Sequence, residues 1–239
     1  MHSLRSIDPR PLSLSTMLRQ ARPAVLALLA ALALTVPLTA CGGSDDDDAL
    51  SIAEARGGAN GTAVTVEGHV SVQPGAFTSA IGDEGFAIQD DTSGVYVKVD
   101  ERPSFGLGAH VRVTGTLDDQ NQLRVLKAVP ADIATLSGTE QVTAKDVGTG
   151  AVNESVEGQL IRVAGNVTQT FMDDSPYGYK LYINDGSGEV QVFVHVSAGL
   201  DKAMLQALTA GQRITVVGLA AQYETTYEVA PRQPSDLTR

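Results

Sequence analysis

One stretch of the chain, Phe86–Val99 (FAIQDDTSGVYVKV), is written a second time at Leu181–Val194 (LYINDGSGEVQVFV). The two align without a gap at a constant offset of 95 (181 − 86 and 194 − 99). Phe86, Ile88, Val95, Val97 and Val99 then fall on Leu181, Ile183, Val190, Val192 and Val194. Each copy is a pair of short alternating runs joined by an Asp/Ser/Gly turn, the sequence form of a β-hairpin. Alternation with period two sends one set of side chains to a core and the other set outward. A duplicated hairpin predicts a duplicated module.

The flanking segments repeat as well. Val64, Val66 and Val70 share one face of a first strand, with Gly68 on that same face where a bend or bulge fits. His110–Leu117 and Gln122–Ala128 complete five strands over residues 62–137. In the second copy, residues 138–239, Ile161–Val167 repeats the first strand at an offset of 97 (161 − 64), mid-strand glycine included. Ile214–Gly218 repeats the fourth at 103 (214 − 111), and Tyr223–Val229 supplies the fifth. The additional residues lie in Ser197–Gly211, where Leu200, Met204, Leu205 and Leu208 have helical spacing. A helix is therefore predicted between strands three and four of the second module.

Five strands, a bent glycine-bearing first strand and a helix between strands three and four resemble the OB-fold, a small Greek-key barrel. Val64–Val70, Phe86–Asp90, Gly94–Val99 and Val111–Gly115 carry a pattern similar to the OB modules of secreted bacterial nucleases and envelope lipoproteins. The resemblance implies an all-β chain of two tandem five-stranded OB-fold barrels. The matching residues are core and turn positions, so nuclease activity is not implied, and fold does not fix ligand.

Ahead of the modules, Arg19 and Arg22 precede the apolar run Ala24–Val36, shaped like the early regions of a signal peptide. Met17 offers an alternative start with a sufficient basic region. Leu38-Thr39-Ala40-Cys41 resembles the lipobox of bacterial lipoproteins, and Cys41 is the sole cysteine. That resemblance implies a signal peptide over residues 1–40 and a lipid on Cys41. It places the protein in the bacterial cell envelope, on the periplasmic face of the outer membrane in a Gram-negative host. Residues 41–61, with Asp45–Asp48, read as an acidic flexible tether, with room for a helical turn or two over Ala49–Arg56.

Charge bears on the partner. Residues 62–137 hold ten acids and five bases, and residues 138–239 hold twelve and seven. This disfavours a nucleic-acid backbone as partner, although Lys98, Arg112, Arg124 and Lys127 could form a local basic patch. His69, His110 and His195 are read as having no carboxylate or His at ligand spacing on their own strands, so no metal, cofactor or catalytic residue is expected. The outward positions of the repeated hairpin, Tyr96, Lys98, Tyr182, Gln191 and Phe193, are the candidate ligand face, the alternative being two barrels packed face to face that bury the same residues. The leading expectation is a non-catalytic, lipid-anchored binding or adaptor protein that recognises an envelope protein or glycan. Single-stranded nucleic acid on the same face is the alternative, and an enzyme with an unrecognised site a remote third.

Overall fold

A computed structural model describes residues 49–239. The expected signal segment, Cys41 and Asp45–Asp48 lie outside the described residues. The first sheet holds β1 (Ala63–Val72), β2 (Phe86–Gln89), β3 (Gly94–Lys98), β4 (Ala109–Gln120), β5 (Leu123–Lys127) and β6 (Ile133–Thr139). Its pairings run β1–β2–β3–β5–β4 and return from β4 to β1, with β3–β5 the one parallel pair of that ring. This is a closed five-stranded barrel with OB connectivity, to which β6 adds on the far side of β4.

The second sheet holds β7 (Lys145–Asp146), β8 (Leu160–Asp174), β9 (Gly178–Asn184), β10 (Glu189–His195), β11 (Arg213–Tyr223), β12 (Thr226–Ala230) and β13 (Leu237–Thr238). Here β8, β9, β10, β12 and β11 pair in turn, and β11 also pairs with β8. Between β10 and β11 lies the short helix α2 (Lys202–Gln206), as the leucine spacing predicts, with Leu200, Leu205 and Leu208 buried.

The repeated glycines have a packing reason. A Cβ on Gly68 would stand 2.9 Å from the Gln89 carbonyl oxygen, and one on Gly165 would stand 2.9 Å from the Asn184 carbonyl carbon. At the same place in each copy the long first strand crosses a neighbour's backbone too closely for any side chain. The valines of the alternating face fill the two cores. Val64, Val66, Val95, Val97, Val111 and Val113 lie in the first, and Val163, Val190, Val192, Ile214 and Val216 in the second.

Two sequence expectations change. Residues 49–61 were assigned to the tether, but α1 (Ile52–Arg56) buries Ile52 and Ala55 in the first core. Ser51 and Glu54 form a capping box, and Asp90 accepts the Ile52 N–H at 2.8 Å. The helical turn falls where the sequence allows one, but a five-residue helix is too short to show an apolar period, so its burial is not legible in the sequence. Second, the outward faces are not both free. Val72, Ala76, Phe77, Ala87, Tyr96, Leu123 and Val125 form a third apolar cluster with Leu219, Ala221 and Ala230, and Phe193 packs against it. This seam joins the two sheets. Arg56 adds a polar link, reaching the Gly94 carbonyl at 3.2 Å and the buried Glu157 at 3.0 Å.

Candidate functional site

Where the seam opens, it leaves a groove of about 800 Å3. One wall is the loop of residues 77–84 with Gln120, Asn121 and Leu123; the other comprises Asp174, Tyr177, Lys180, Gln191, Phe193, His195, Tyr223 and Glu228. Tyr177 and Tyr223 stand about half exposed on its rim, at 50% and 53%, and Ile81 projects from the loop at 87%.

The five residues singled out from the sequence separate in space. Tyr96 is 0% exposed, which corrects its expected outward exposure: the loop and the second sheet cover it. Its ring packs edge-on against Phe77 at 5.4 Å, and its hydroxyl donates to Asp83 Oδ2 at 2.8 Å. Burial raises the phenol well above its ordinary range, and the Asp83 charge adds to this. Asp83 also accepts from Ser79 N and Oγ (2.8 and 2.7 Å) and from Gly85 N (2.9 Å). Tyr96 is thus the post on which the 77–84 loop is tied. Lys98 gives its ammonium to Gln120 Oε1 at 2.8 Å and lines a separate cavity of about 420 Å3 with Lys127, Asp100 and Asp132.

Gln191 and Phe193 do reach the groove. Gln191 is itself buried, contrary to its expected exposure, because it is held between two neighbours. Tyr182 donates its hydroxyl to Gln191 Oε1 at 2.7 Å, and Gln191 Nε2 donates to Glu228 Oε2 at 2.6 Å. Phe193 is half-buried, with Lys180 Nζ 5.9 Å from its ring centre.

Glu228 is the residue sequence reasoning missed. It lies on β12 beside Gln191 in parallel register and is 4% exposed. In the sequence it is one outward glutamate in a closing strand, with nothing local to mark it as covered. Burial pushes its carboxyl up to about 7, only partly offset by the Gln191 hydrogen bond and the Lys180 charge. The folded chain therefore holds this proton more tightly than the unfolded chain. Stability is expected to fall as pH rises from about 4.5 to about 7, by roughly 3 kcal/mol at about 1.4 kcal/mol per pH unit. Glu228→Gln should escape that fall, gaining on the wild type above pH 7 and matching it below about 4.5, as read from denaturant midpoints. An unchanged difference across that range would show the carboxyl to be ordinary.

The loop is tied to the second sheet through His195. Its Nδ1 accepts from Ser197 N at 3.2 Å, which leaves the proton on Nε2, 3.0 Å from Thr78 Oγ1. Burial lowers its pKa and favours the neutral ring. His69 and His110, far apart in sequence, stack across β1 and β4 at 4.7 Å, a pairing invisible to a search along single strands. Among the described residues no group of three or more ligating side chains could hold a metal ion. The predicted basic patch is largely neutralised: Arg112 pairs with Glu67, Arg124 with Asp119 and Lys127 with Asp118.

The sequence matches no protein-family model and no curated protein. Among solved structures, the chain is similar to the p204 HINb domain, at 11% identity and a TM-score of 0.34 over 72% of this chain and 93% of that one. It is also similar to a murine DNA binding protein bound with double-stranded DNA, at 11% identity and 0.39 over 70% and 92%. A third is the single-stranded DNA binding protein from Thermus aquaticus, at 15% identity and 0.26 over 76% and 94%. At such identities and scores the OB assignment rests on the strand pairings themselves.

Proposed function

We propose that this chain is a non-catalytic binding protein in which two OB-type barrels in tandem, residues 62–137 and 138–239, build one ligand groove at their seam. The observation that carries the reading is the groove itself, about 800 Å3, with half-exposed tyrosines on its rim and a buried carboxylate in its lining. Apolar walls with a few convergent polar groups are the usual form of a ligand site. Attachment to a bacterial envelope through a lipid on Cys41 belongs to the same proposal and is supported by the sequence resemblance. Cys41→Ser should then move the protein from the detergent phase to the aqueous phase.

Photo-crosslinking in cells tests the groove. With p-benzoylphenylalanine at position 223, adducts are expected that do not form from position 135, which is exposed on β6 outside the groove. Equal labelling from both positions would sink the proposal.

Single-stranded nucleic acid is the second reading. Tyr177, Tyr223 and Phe193 line the groove beside Lys180, an arrangement on which unstacked bases could lie. Against it stand Asp83, Glu84, Asp174 and Glu228 in the same lining. Micromolar binding of single-stranded DNA that weakens steeply with salt, and is lost in Tyr177→Ala with Tyr223→Ala, would establish it.

A further inference from the structure

We infer that the groove selects a ligand presenting an alkylammonium group on an apolar body, with the cation seated on the Glu228 carboxylate. This rests on the groove being the ligand site and names the chemistry it favours. Glu228 is more than nine-tenths buried and lines the groove. Gln191 occupies its Oε2, and among the described residues no donor reaches its Oε1. A buried carboxylate with an unfilled acceptor is costly to ionise, and a cation brought to it removes that cost.

The other charged groups facing the groove are already engaged. Lys180 of β9 is paired with Asp174 at the end of β8 at 2.9 Å, and Glu84 with Arg102 at 2.6 Å. Asp83 takes its four donors within the loop and from Tyr96. His195 of β10 is turned to Thr78 and Ser197. Even with Arg102 counted beside Lys180, the acids Asp83, Glu84, Asp174 and Glu228 are in the majority, so the field in the groove favours a cation over an anion. Phe193, Tyr177 and Tyr223 supply apolar and aromatic surface for the body of such a ligand.

A matched pair of probes separates charge from shape: 2-phenylethylamine and its neutral isostere 2-phenylethanol, titrated calorimetrically into the purified chain. The amine is expected to bind at least tenfold more tightly. Because Glu228 holds a proton below about pH 7, amine binding must displace it. At pH 6 binding should release nearly one proton, read from two buffers of different ionisation enthalpy. Affinity should rise about tenfold from pH 6 to pH 8. Glu228→Gln, which keeps the shape and removes the charge, should bind both probes equally. The proton count needs no variant, so the inference stays testable if that substitution disturbs folding. Amine binding without proton release, or undiminished in Glu228→Gln, overturns it. Equal binding of both probes, lost in Tyr223→Ala, keeps the groove as the ligand site and overturns the cation. Binding of neither probe overturns the cation as well.

Discussion

Tyr96→Ala is expected to destabilise the folded chain by about 3–5 kcal/mol, the usual cost of emptying a buried aromatic site. For a unit of this size that lowers the melting temperature by roughly 10 °C. The residue is fully enclosed in the cluster between the two sheets, and its hydroxyl is one of four donors that make the buried Asp83 tolerable. Tyr96→Phe removes only that donor and should cost about 1.5–3 kcal/mol, the range for a hydrogen bond to a charged group. The alanine variant should also loosen the 77–84 loop, because Phe77 loses the ring it packs against. Faster amide exchange at Ser79 and Gly85 would report this. A Tyr96→Ala protein of unchanged stability that has lost a ligand would show instead that Tyr96 is a contact residue.

The second large effect is expected at Arg56. Its guanidinium, 11% exposed, meets a Glu157 side chain that is 0% exposed. Glu157 Oε1 also accepts the Arg124 N–H at 3.0 Å, while Oε2 is buried with no partner. Removing one member of such a pair strands the other, so Arg56→Ala should cost about 3–5 kcal/mol near neutral pH. Burial already raises the Glu157 pKa, with Arg56 the principal opposing influence. Without Arg56 the carboxyl protonates more readily, so the penalty should shrink as pH falls. Arg56→Ala combined with Glu157→Gln should recover most of the loss, and a double-mutant cycle by urea denaturation measures it. Additive effects of the two substitutions would mean that the pair contributes nothing across the seam. Arg56 lies on α1, so the same reasoning makes residues 49–61 part of the folded body, and a chain trimmed to begin at residue 62 should be markedly less stable.

The paired positions of the repeat show where legibility stopped. Tyr96 aligns with Gln191 and Lys98 with Phe193 at the common offset of 95 (191 − 96 and 193 − 98), so period two assigns all four outward. Outward proved to mean four environments. Tyr96 lies sealed in the seam, Lys98 is bonded to Gln120 at a smaller cavity, Gln191 is clamped between Tyr182 and Glu228, and Phe193 lies half-open in the groove. The cover over Tyr96 comes from Leu219, Ala221 and Ala230, more than a hundred residues on, and no local pattern carries that information.

By itself the amino-acid order determined what is local: which valines face a core, where the hairpins turn and where α2 forms. Each of these follows from backbone periodicity or from turn chemistry within a few residues. Only the tertiary structure decided which outward residues stay wet. That depended on one sheet being laid against the other, which buried Tyr96 and desolvated Glu228, and on α1 packing into the first core. A residue's exposure is a property of what is brought to it from elsewhere in the chain, and here it was the seam that turned an ordinary outward glutamate into the most perturbed carboxyl of the groove.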